Sequence, residues 1–211
     1  MATEVPATRR RRRRADGEIS RNRILDAATE IASERGYEGT SIAAVSSKCG
    51  LPASSIYWHF ADKDDLLAAV IERSFGSWLS AWEVPANGDT VDRATAMSSQ
   101  IAKALLDSPD FIRLGLMLAL ERRPVEPRAR AMFLQVREQA HTQLQNTVLA
   151  LAPDLTSADA RQLATYALAG ADGLFIAKEI AGDSLDLVAM FEMHARTVVD
   201  TARRLIEEAA K

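Results

Sequence analysis

Residues 40–63, TSIAAVSSKCGLPASSIYWHFADK, decide the fold, because they predict two short helices joined by a tight turn and followed by the start of a third. Thr40 or Ser41 can cap the first helix, whose apolar residues fall on one face at spacings of three and four. These residues are Ile42, Val45 and Cys49. Gly50 adopts a positive φ without steric cost, and Pro52 suits the start of the next helix. The stretch therefore predicts a helix-turn-helix.

The second helix of this motif is short, yet it is predicted to expose two large aromatic side chains. Ile56 and Phe60 lie four residues apart and so face inward. The outer face and its edges then consist of Ala53, Ser54, Ser55, Tyr57, Trp58 and His59. This exposed aromatic surface indicates that the helix binds a partner.

The segment GLPASSIYWHFADKDDLL, residues 50–67, resembles the DNA-binding signature of the tetracycline-repressor (TetR) family of bacterial transcription regulators. The resemblance extends over residues 18–70. Its most specific part is the run Tyr-Trp-His-Phe at residues 57–60, followed by Lys63.

The resemblance implies a map of contacts with double-stranded DNA. Ser54 and Ser55 would lie nearest the bases, and Trp58 would pack against the sugar-phosphate wall. The resemblance further implies phosphate contacts from Tyr57, His59 and Lys63, and it places Thr40, Ser41 and Ala53 at the same surface. Ala53 and Ala43 stand where the family often has polar or basic side chains, so we expect few direct base contacts.

The resemblance also implies an all-α fold with two domains. A three-helix helix-turn-helix domain would cover residues 18–62, and a helical effector-binding and dimerisation domain would cover residues 63–211. A homodimer of this kind would bind a palindromic operator as a repressor, and a small apolar or amphipathic effector would release it. The alternative is a regulator without a ligand, and the contrasting class is a helical enzyme or scaffold with a basic tail.

The composition is that of a globular protein, since 47% of the 211 residues are hydrophobic and 26% are charged. No apolar run approaches the about 20 residues that a membrane helix needs, so we expect no membrane span. The only cysteine, Cys49, excludes an internal disulfide and lies on the apolar face of its helix. We therefore expect a buried thiol in a protein of the reducing cytoplasm.

The net charge of −3 conceals a strongly basic N-terminus, which holds six consecutive arginines. They are Arg9, Arg10, Arg11, Arg12, Arg13 and Arg14. A run of like charges predicts a disordered arm, here over residues 1–17, which is either an inert solvated tail or a DNA contact. We favour contact with an adjacent minor groove, because the run directly precedes the helix-turn-helix. A twin-arginine export signal is excluded by the lack of an apolar segment after Arg14.

Helical periodicity continues on both sides of the motif. Residues 18–36 predict a supporting helix that Gly36 ends, with an apolar stripe of Ile24, Leu25, Ala28, Ile31 and Ala32. A fourth helix is predicted from Asp62 to about Trp82, with one face formed by Leu67, Ile71, Phe75, Trp78 and Trp82. Beyond it we expect helices at 90–107, 110–122, 127–151, 156–181 and 186–209, because turn formers separate these segments and no strand-like alternation occurs.

The last two predicted helices have the features of a four-helix dimer interface. Small residues at positions 167, 169, 170, 171 and 173 permit close approach of another helix. The next helix presents Leu187, Phe191, His194, Val198 and Leu205 on one face. Packing within one chain is the alternative use of the same residues.

No motif for catalysis, a cofactor or a metal is present in the sequence, so we expect a protein that is not an enzyme. His141 and His194 are expected at an interface or the edge of a core rather than as metal ligands. An apolar cluster rich in methionine and aromatic residues predicts either a ligand cavity or plain core. Its members are Met97, Phe111, Leu114, Met117, Leu118, Met132, Phe133 and Tyr166.

Overall fold

The computed structural model describes residues 7–79, 82–120 and 127–211, and all regular structure in these ranges is helical. The helices are α1 (Ala7–Gly39), α2 (Ile42–Cys49), α3 (Ala53–His59), α4 (Lys63–Leu79), α5 (Thr90–Asp107), α6 (Asp110–Leu120), α7 (Arg128–Leu151), α8 (Ser157–Ala181) and α9 (Leu187–Ala209). A short 3₁₀ turn, Gly182–Ser184, joins the last two. The all-α prediction is confirmed.

The predicted helix limits agree closely with the observed ones, because side-chain caps and turn residues set them locally. Asp89, Thr156 and Asp186 each accept a hydrogen bond from a backbone N–H in the first turn of α5, α8 and α9. The Asp62 carboxylate likewise accepts a hydrogen bond from Asp65 N in the first turn of α4, at 2.8 Å. The prediction for α4 extended too far, since the helix ends at Leu79 and residues 80 and 81 lie outside the described part.

The N-terminal arm is a correction to the sequence analysis. We predicted disorder over residues 1–17, whereas α1 already begins at Ala7 and residues 1–6 lie outside the described part. Arginine is among the better helix formers, and the segment from Ala7 to Asp16 contains neither glycine nor proline. The arginine run therefore extends the helix that follows it.

Gly36 ends the regular part of α1, as predicted. Its φ of 67° and ψ of −172° are open to glycine and unfavourable for other residues. A Cβ at this position would also lie only 2.6 Å from Met117 Cε of α6. The chain bends here, and the carbonyl of Gly36 accepts the Thr40 hydroxyl at 2.8 Å.

The chain divides into two compact units. The first unit comprises Met1–Ser74 and Asp110–Leu134, and the second comprises Phe75–Pro109 and Gln135–Lys211. The boundaries fall inside α4, between α5 and α6, and inside α7. These units are divisions by packing, so the predicted functional boundaries at residues 17 and 62 remain predictions.

The core of the first unit forms between α1, α2, α3 and α6. The predicted stripe on α1 is confirmed, because its five residues are all buried: Ile24, Leu25, Ala28, Ile31 and Ala32. On α6, Gly115 permits close approach of the Phe133 ring, which occupies the space that a Cβ at this position would need. Burial of these apolar faces is the main source of stability for helices this short.

The second unit is built on α9, which packs against α5 and α8. Ser98 on α5 donates to the Phe191 carbonyl at 2.8 Å, and Arg137 of α7 forms a bidentate ion pair with Asp172 of α8 at 2.6 and 3.1 Å. His194 Nε2 lies 3.0 Å from the Ala167 carbonyl, with its ring directly over Gly170. Part of the predicted dimer face is thus used for packing within one chain.

No described helix is long and apolar enough to cross a membrane.

Two glycine substitutions test the packing of α6. Gly115→Ala should destabilise the protein by about 1–3 kcal/mol, because the new methyl group overlaps the Phe133 ring. Gly76→Ala in α4 is the matched control, since nothing lies within 4 Å of its Cβ position and alanine is the better helix former by about 1 kcal/mol. Urea denaturation measures both effects. If the unfolding midpoints of the two variants moved in the same direction from that of the wild type, the packing described here would be contradicted.

Candidate nucleic-acid interface

Hydrogen bonds at both ends fix α2, the first helix of the motif. At its N-terminus the Ser41 hydroxyl accepts from Ala44 N at 3.2 Å, so the predicted cap is confirmed. At its C-terminus Arg23 of α1 donates to the Cys49 carbonyl at 2.7 Å. Lys48 also forms an ion pair with Glu30 of α1. The position of α2 on α1 is therefore set by polar contacts as well as by the burial of Val45.

The turn between α2 and α3 is short and held from inside. Gly50 has φ 66° and ψ 23°, the left-handed conformation predicted for it. The Ser46 hydroxyl donates to the Leu51 carbonyl across the turn at 2.6 Å. Cys49 is buried, as expected, and its thiol lies 3.7 Å from the Ser46 carbonyl. These contacts set the angle at which α3 leaves the turn.

The second helix, α3, presents its polar and aromatic residues to solvent. Ile56 and Phe60 are buried as predicted, and they anchor the helix to the core. Ser54 is exposed, while Tyr57 is 56% and Trp58 76% exposed. Large exposed aromatic rings next to an exposed hydroxyl match a surface that packs on the sugar-phosphate backbone and on base edges.

Trp58 is exposed to solvent but positioned by its neighbours. Its ring stands edge-on to the His59 ring, with centroids 4.5 Å apart. On the other side its ring atoms lie within 3.7 Å of the position that a Cβ on Gly17 of α1 would occupy. A glycine at position 17 thus lets the indole lie close to the α1 backbone.

His59 is half-buried between Trp58 and a cation. Burial lowers the pKa of the His59 imidazole from its ordinary value of 6.5, and the positive charge of Arg21 lowers that pKa further. The Arg21 guanidinium itself lies over the Phe60 ring, 5.4 Å from its centroid. The imidazole is therefore neutral at pH 7 and would meet a phosphate as a hydrogen-bond donor rather than as a cation.

The ammonium group of Lys63 is bound by residues at the end of α1. Its Nζ donates to the Tyr37 carbonyl at 3.1 Å and lies 4.3 Å from the centroid of the Tyr37 ring. The Glu38 carboxylate is 3.7 Å away. A phosphate contact by Lys63, as the family resemblance implies, would require the ammonium to exchange or share these partners.

The other predicted contact residues fall into three groups. Thr40 is a correction, because it is only 1% exposed and its hydroxyl donates to the Gly36 carbonyl. Ser41 is exposed, and Ala53 and Ser55 are half-buried at the edge of α3. The arginine run belongs to α1 by its backbone, whereas the side chains of residues 9–14 lie outside the described part.

Sequence reasoning missed two arginines that shape this surface. Arg21 adds positive charge beside α3, and Arg23 anchors the end of α2. Both lie on α1, where the charged side of an amphipathic helix has the same appearance whether it binds something or not. Only the structure shows that Arg21 lies over the Phe60 ring and that Arg23 reaches the Cys49 carbonyl.

The seven predicted ligand residues are divided between the units. Met97 and Tyr166 lie in the second, and Phe111, Leu114, Met117, Met132 and Phe133 lie in the first. Phe111, Leu114 and Phe133 are buried together, with the two phenyl rings 6.0 Å apart. Met117 and Tyr166 are about half-exposed, so their side chains do not line a closed cavity here.

The remaining histidines have hydrogen-bonding partners within the second unit. His141 Nε2 lies 3.0 Å from the Thr165 hydroxyl, and His194 contacts the Ala167 carbonyl. Among residues 7–79, 82–120 and 127–211, no three histidine, cysteine or acidic side chains are placed to hold a metal ion.

Comparison with known proteins places the motif in a family. The profile described as "Bacterial regulatory proteins, tetR family" matches residues 24–70, which contain most of α1, the whole of α2 and α3, and the start of α4. The HTH-type transcriptional repressor Rv1353c of Mycobacterium tuberculosis is 29% identical over 147 residues, which are 70% of this chain and 54% of that protein. The chain thus spans about half the length of the curated relatives that it matches first.

Solved structures share the fold over most of the chain. FadR from Bacillus subtilis, solved in complex with stearoyl-CoA, has a TM-score of 0.67 and 19% identity, covering 84% of this chain and 96% of that one. SmeT, the repressor of the Stenotrophomonas maltophilia multidrug efflux pump SmeDEF, has a TM-score of 0.67 and 21% identity, covering 86% and 89%.

The environment of His59 can be tested by titration. Arg21→Ala should raise the pKa of His59, yet leave it below 6.5 because burial is the larger cause. A lowered pKa in the folded state means that His59 stabilises the fold fully above pH 6.5, and that this stability is lost as the pH falls through the lowered value. NMR titration of the three histidines checks this, with Arg196→Ala in α9 as control. An unchanged His59 pKa in Arg21→Ala would contradict it.

Proposed function

We propose, from the match of residues 24–70 to the tetR family of bacterial regulatory proteins, that the chain is a homodimeric transcriptional repressor of this family that binds a palindromic operator and is released by a small molecule. The matched relatives are transcriptional regulators rather than enzymes, and the proposed site of action is the cytoplasm. The observation that carries the proposal is the exposed outer face of α3, held at a fixed angle by the Gly50 turn.

Operator recognition would use α3 in the major groove, with α2 across the backbone. Ser54 and Ser55 would lie nearest the base edges, while Tyr57, His59 and Lys63 would meet phosphates. A hydroxyl group reads several bases almost equally well, whereas a phosphate contact reads none. We therefore infer that sequence preference depends on few side chains and on the shape of the DNA.

The six arginines at residues 9–14 are proposed to contact DNA phosphates. We first expected a flexible arm in the minor groove, but a helix about 10 Å across does not fit a groove about 6 Å wide. Because the backbone of this segment is helical, contacts along the phosphate backbone are the better expectation. Each such contact strengthens binding at low salt without reading sequence.

The dimer surface is proposed on the exposed face of α8, which borders α9 at Tyr166, whose ring centroid lies 5.7 Å from that of His194. Exposed residues recur there at alternating spacings of three and four: Tyr166, Ala169, Gly173, Ile176 and Ile180. Such a stripe suits a helix pairing with its own copy around a two-fold axis. Ile180, at 82% exposed, is the clearest apolar residue without cover within the described part of the chain.

The proposed stripe can be tested with two charged substitutions. Ile176→Glu should weaken dimerisation by at least about tenfold, or 1.4 kcal/mol, because the carboxylate would be buried without a partner. Leu106→Glu in α5 is the control, since Leu106 is 43% exposed against 41% for Ile176 but lies outside the stripe. Sedimentation equilibrium should give a dimer for Leu106→Glu and a monomer-dimer mixture for Ile176→Glu. If the two variants dimerised equally well, the dimer interface would not include this stripe.

The effector is proposed to be apolar or amphipathic. FadR was solved with stearoyl-CoA, an amphipathic molecule, and SmeT is the repressor of a multidrug efflux pump. In this chain the methionine and aromatic residues named above remain candidates for the site. The buried cluster of Phe75, Trp78 and Trp82, whose rings lie 6.0 and 4.8 Å apart, would report ligand entry by fluorescence. A regulator without a ligand remains the second candidate.

Operator binding itself tests the proposal. Tyr57→Ala should lower affinity for the operator by about tenfold, the loss expected for a hydrogen bond to a charged phosphate, and Lys63→Ala should act in the same direction. Ser54→Ala should instead change the order of preference among operator variants. Fluorescence anisotropy with labelled DNA measures all three, with Leu134→Ala on α7 as an exposed control. Wild-type affinity in both Tyr57→Ala and Lys63→Ala would refute the contact map.

A further inference from the structure

The first turn of α7 is capped by a residue from the start of α4. Asp64 Oδ2 accepts from Arg128 N at 2.5 Å, and Asp64 Oδ1 accepts from Ala129 N at 3.1 Å. The first backbone N–H groups of a helix have no partner within the helix, and α7 has no acidic residue in its own first turn. A carboxylate 64 residues earlier in the sequence therefore satisfies the N-terminus of α7 and complements its dipole.

The same carboxylate is tied to the end of α1. The Tyr37 hydroxyl donates to Asp64 Oδ1 at 3.2 Å. Tyr37 directly follows Gly36, where α1 bends, and Met117 of α6 packs at that bend. Asp64 thus joins three helices of the first unit: α1, α4 and α7.

Tyr37 also holds Lys63, the residue before Asp64. Its carbonyl and its ring both bind the Lys63 ammonium, at 3.1 Å and 4.3 Å. Lys63 and Asp64 begin α4 side by side, so one tyrosine is shared between the proposed phosphate contact and the cap of α7. A shift of one of these contacts changes the geometry available to the other.

We propose that Asp64 is a positioning residue for operator binding, which couples the first turn of α7 to Lys63 through Tyr37 and the start of α4. The inference rests on the proposed function, because it assumes that Lys63 meets a phosphate. A phosphate that holds Lys63 also immobilises its neighbour Asp64 and so tightens the cap on α7. By reciprocity, displacement of the first turn of α7 weakens operator binding by the same factor. Asp64, Tyr37 and the capped first turn of α7 all lie within the first unit.

Two isosteric substitutions separate this role from a charge effect. In Asp64→Asn, either orientation of the amide turns its NH₂ group toward one of the two backbone N–H groups of α7, so one cap is lost. In Asp65→Asn the same charge is removed one residue further on, but the side-chain oxygen still accepts from Ala61 N, which now lies 3.0 Å from Asp65 Oδ2. Asp65→Asn also removes the ion pair in which Asp65 Oδ1 lies 3.7 Å from Arg128 Nη1, so it controls for the loss of charge beside α7. The pair therefore matches in charge and differs in the hydrogen bonds to the α7 backbone.

The first readout is operator affinity of the full-length protein without effector. Asp64→Asn should bind the operator at least about fivefold more weakly than Asp65→Asn, the lower end of typical coupling factors. Tyr37→Phe keeps both hydrogen bonds from the α7 backbone to Asp64 and removes only the Tyr37 hydroxyl. It therefore replaces Asp64→Asn in the affinity measurement if Asp64→Asn does not fold. Adding Tyr37→Phe to Asp64→Asn should cause a smaller further loss than Tyr37→Phe causes alone, because the asparagine no longer links the hydroxyl to both N–H groups of α7.

The second readout is hydrogen exchange of the Arg128 and Ala129 amides, which a purely structural cap would not change on DNA binding. In the wild type, operator DNA should slow their exchange about fivefold relative to random DNA of equal length, and Asp64→Asn should abolish this difference. Unchanged or faster exchange with operator, or equal affinity of the two asparagine variants, would overturn the coupling. Failure of the proposed function is distinguishable, since the wild type would then not discriminate operator from random DNA at all.

Discussion

The hydrogen bond from Arg23 to the Cys49 carbonyl, together with the left-handed turn at Gly50, is the constraint on which the proposed DNA-binding surface depends. A helix of seven residues such as α3 has little stability of its own, so its direction is inherited from what holds its first residues. Arg23 fixes the end of α2 on α1, and Gly50 turns the chain without strain. Burial of Ile56 and Phe60 then leaves Tyr57 and Trp58 outside.

The polar contacts around this surface link it to the rest of the first unit. Arg21 adds charge beside α3, and Tyr37 receives both Lys63 and Asp64 at the start of α4. A recognition surface of this kind is therefore not an isolated motif. Its electrostatic state depends on α1, and in the proposed coupling its geometry depends on α4 and the first turn of α7. In the proposed function, an effector would have more than one helix through which to act on operator affinity.

Features with local causes were predictable from sequence, and features with tertiary causes were not. Gly50, Pro52 and the capping aspartates act on their own neighbours, so the motif and most helix ends followed from residue identity. Thr40 was misjudged because its burial depends on the bend at Gly36. Lys63 was predicted without its Tyr37 partner, since no pattern in sequence pairs residues 26 positions apart. The apolar cluster gave no signal separating a cavity from a core, because methionine and phenylalanine serve in both.

The most direct test of the account is hydroxyl-radical footprinting of the purified protein on the DNA upstream of its own coding sequence, at physiological salt. Dimeric binding through α3 predicts two protected half-sites related by a palindrome, with centres about 34–36 Å apart or a multiple of that distance. Tyr57→Ala should need about tenfold more protein for the same protection of both half-sites. Protection that is uniform along the fragment, disappears with added salt and is equal on unrelated DNA would show only non-specific attraction to the basic N-terminus. That result would contradict the central claim that α2 and α3 form a sequence-reading surface.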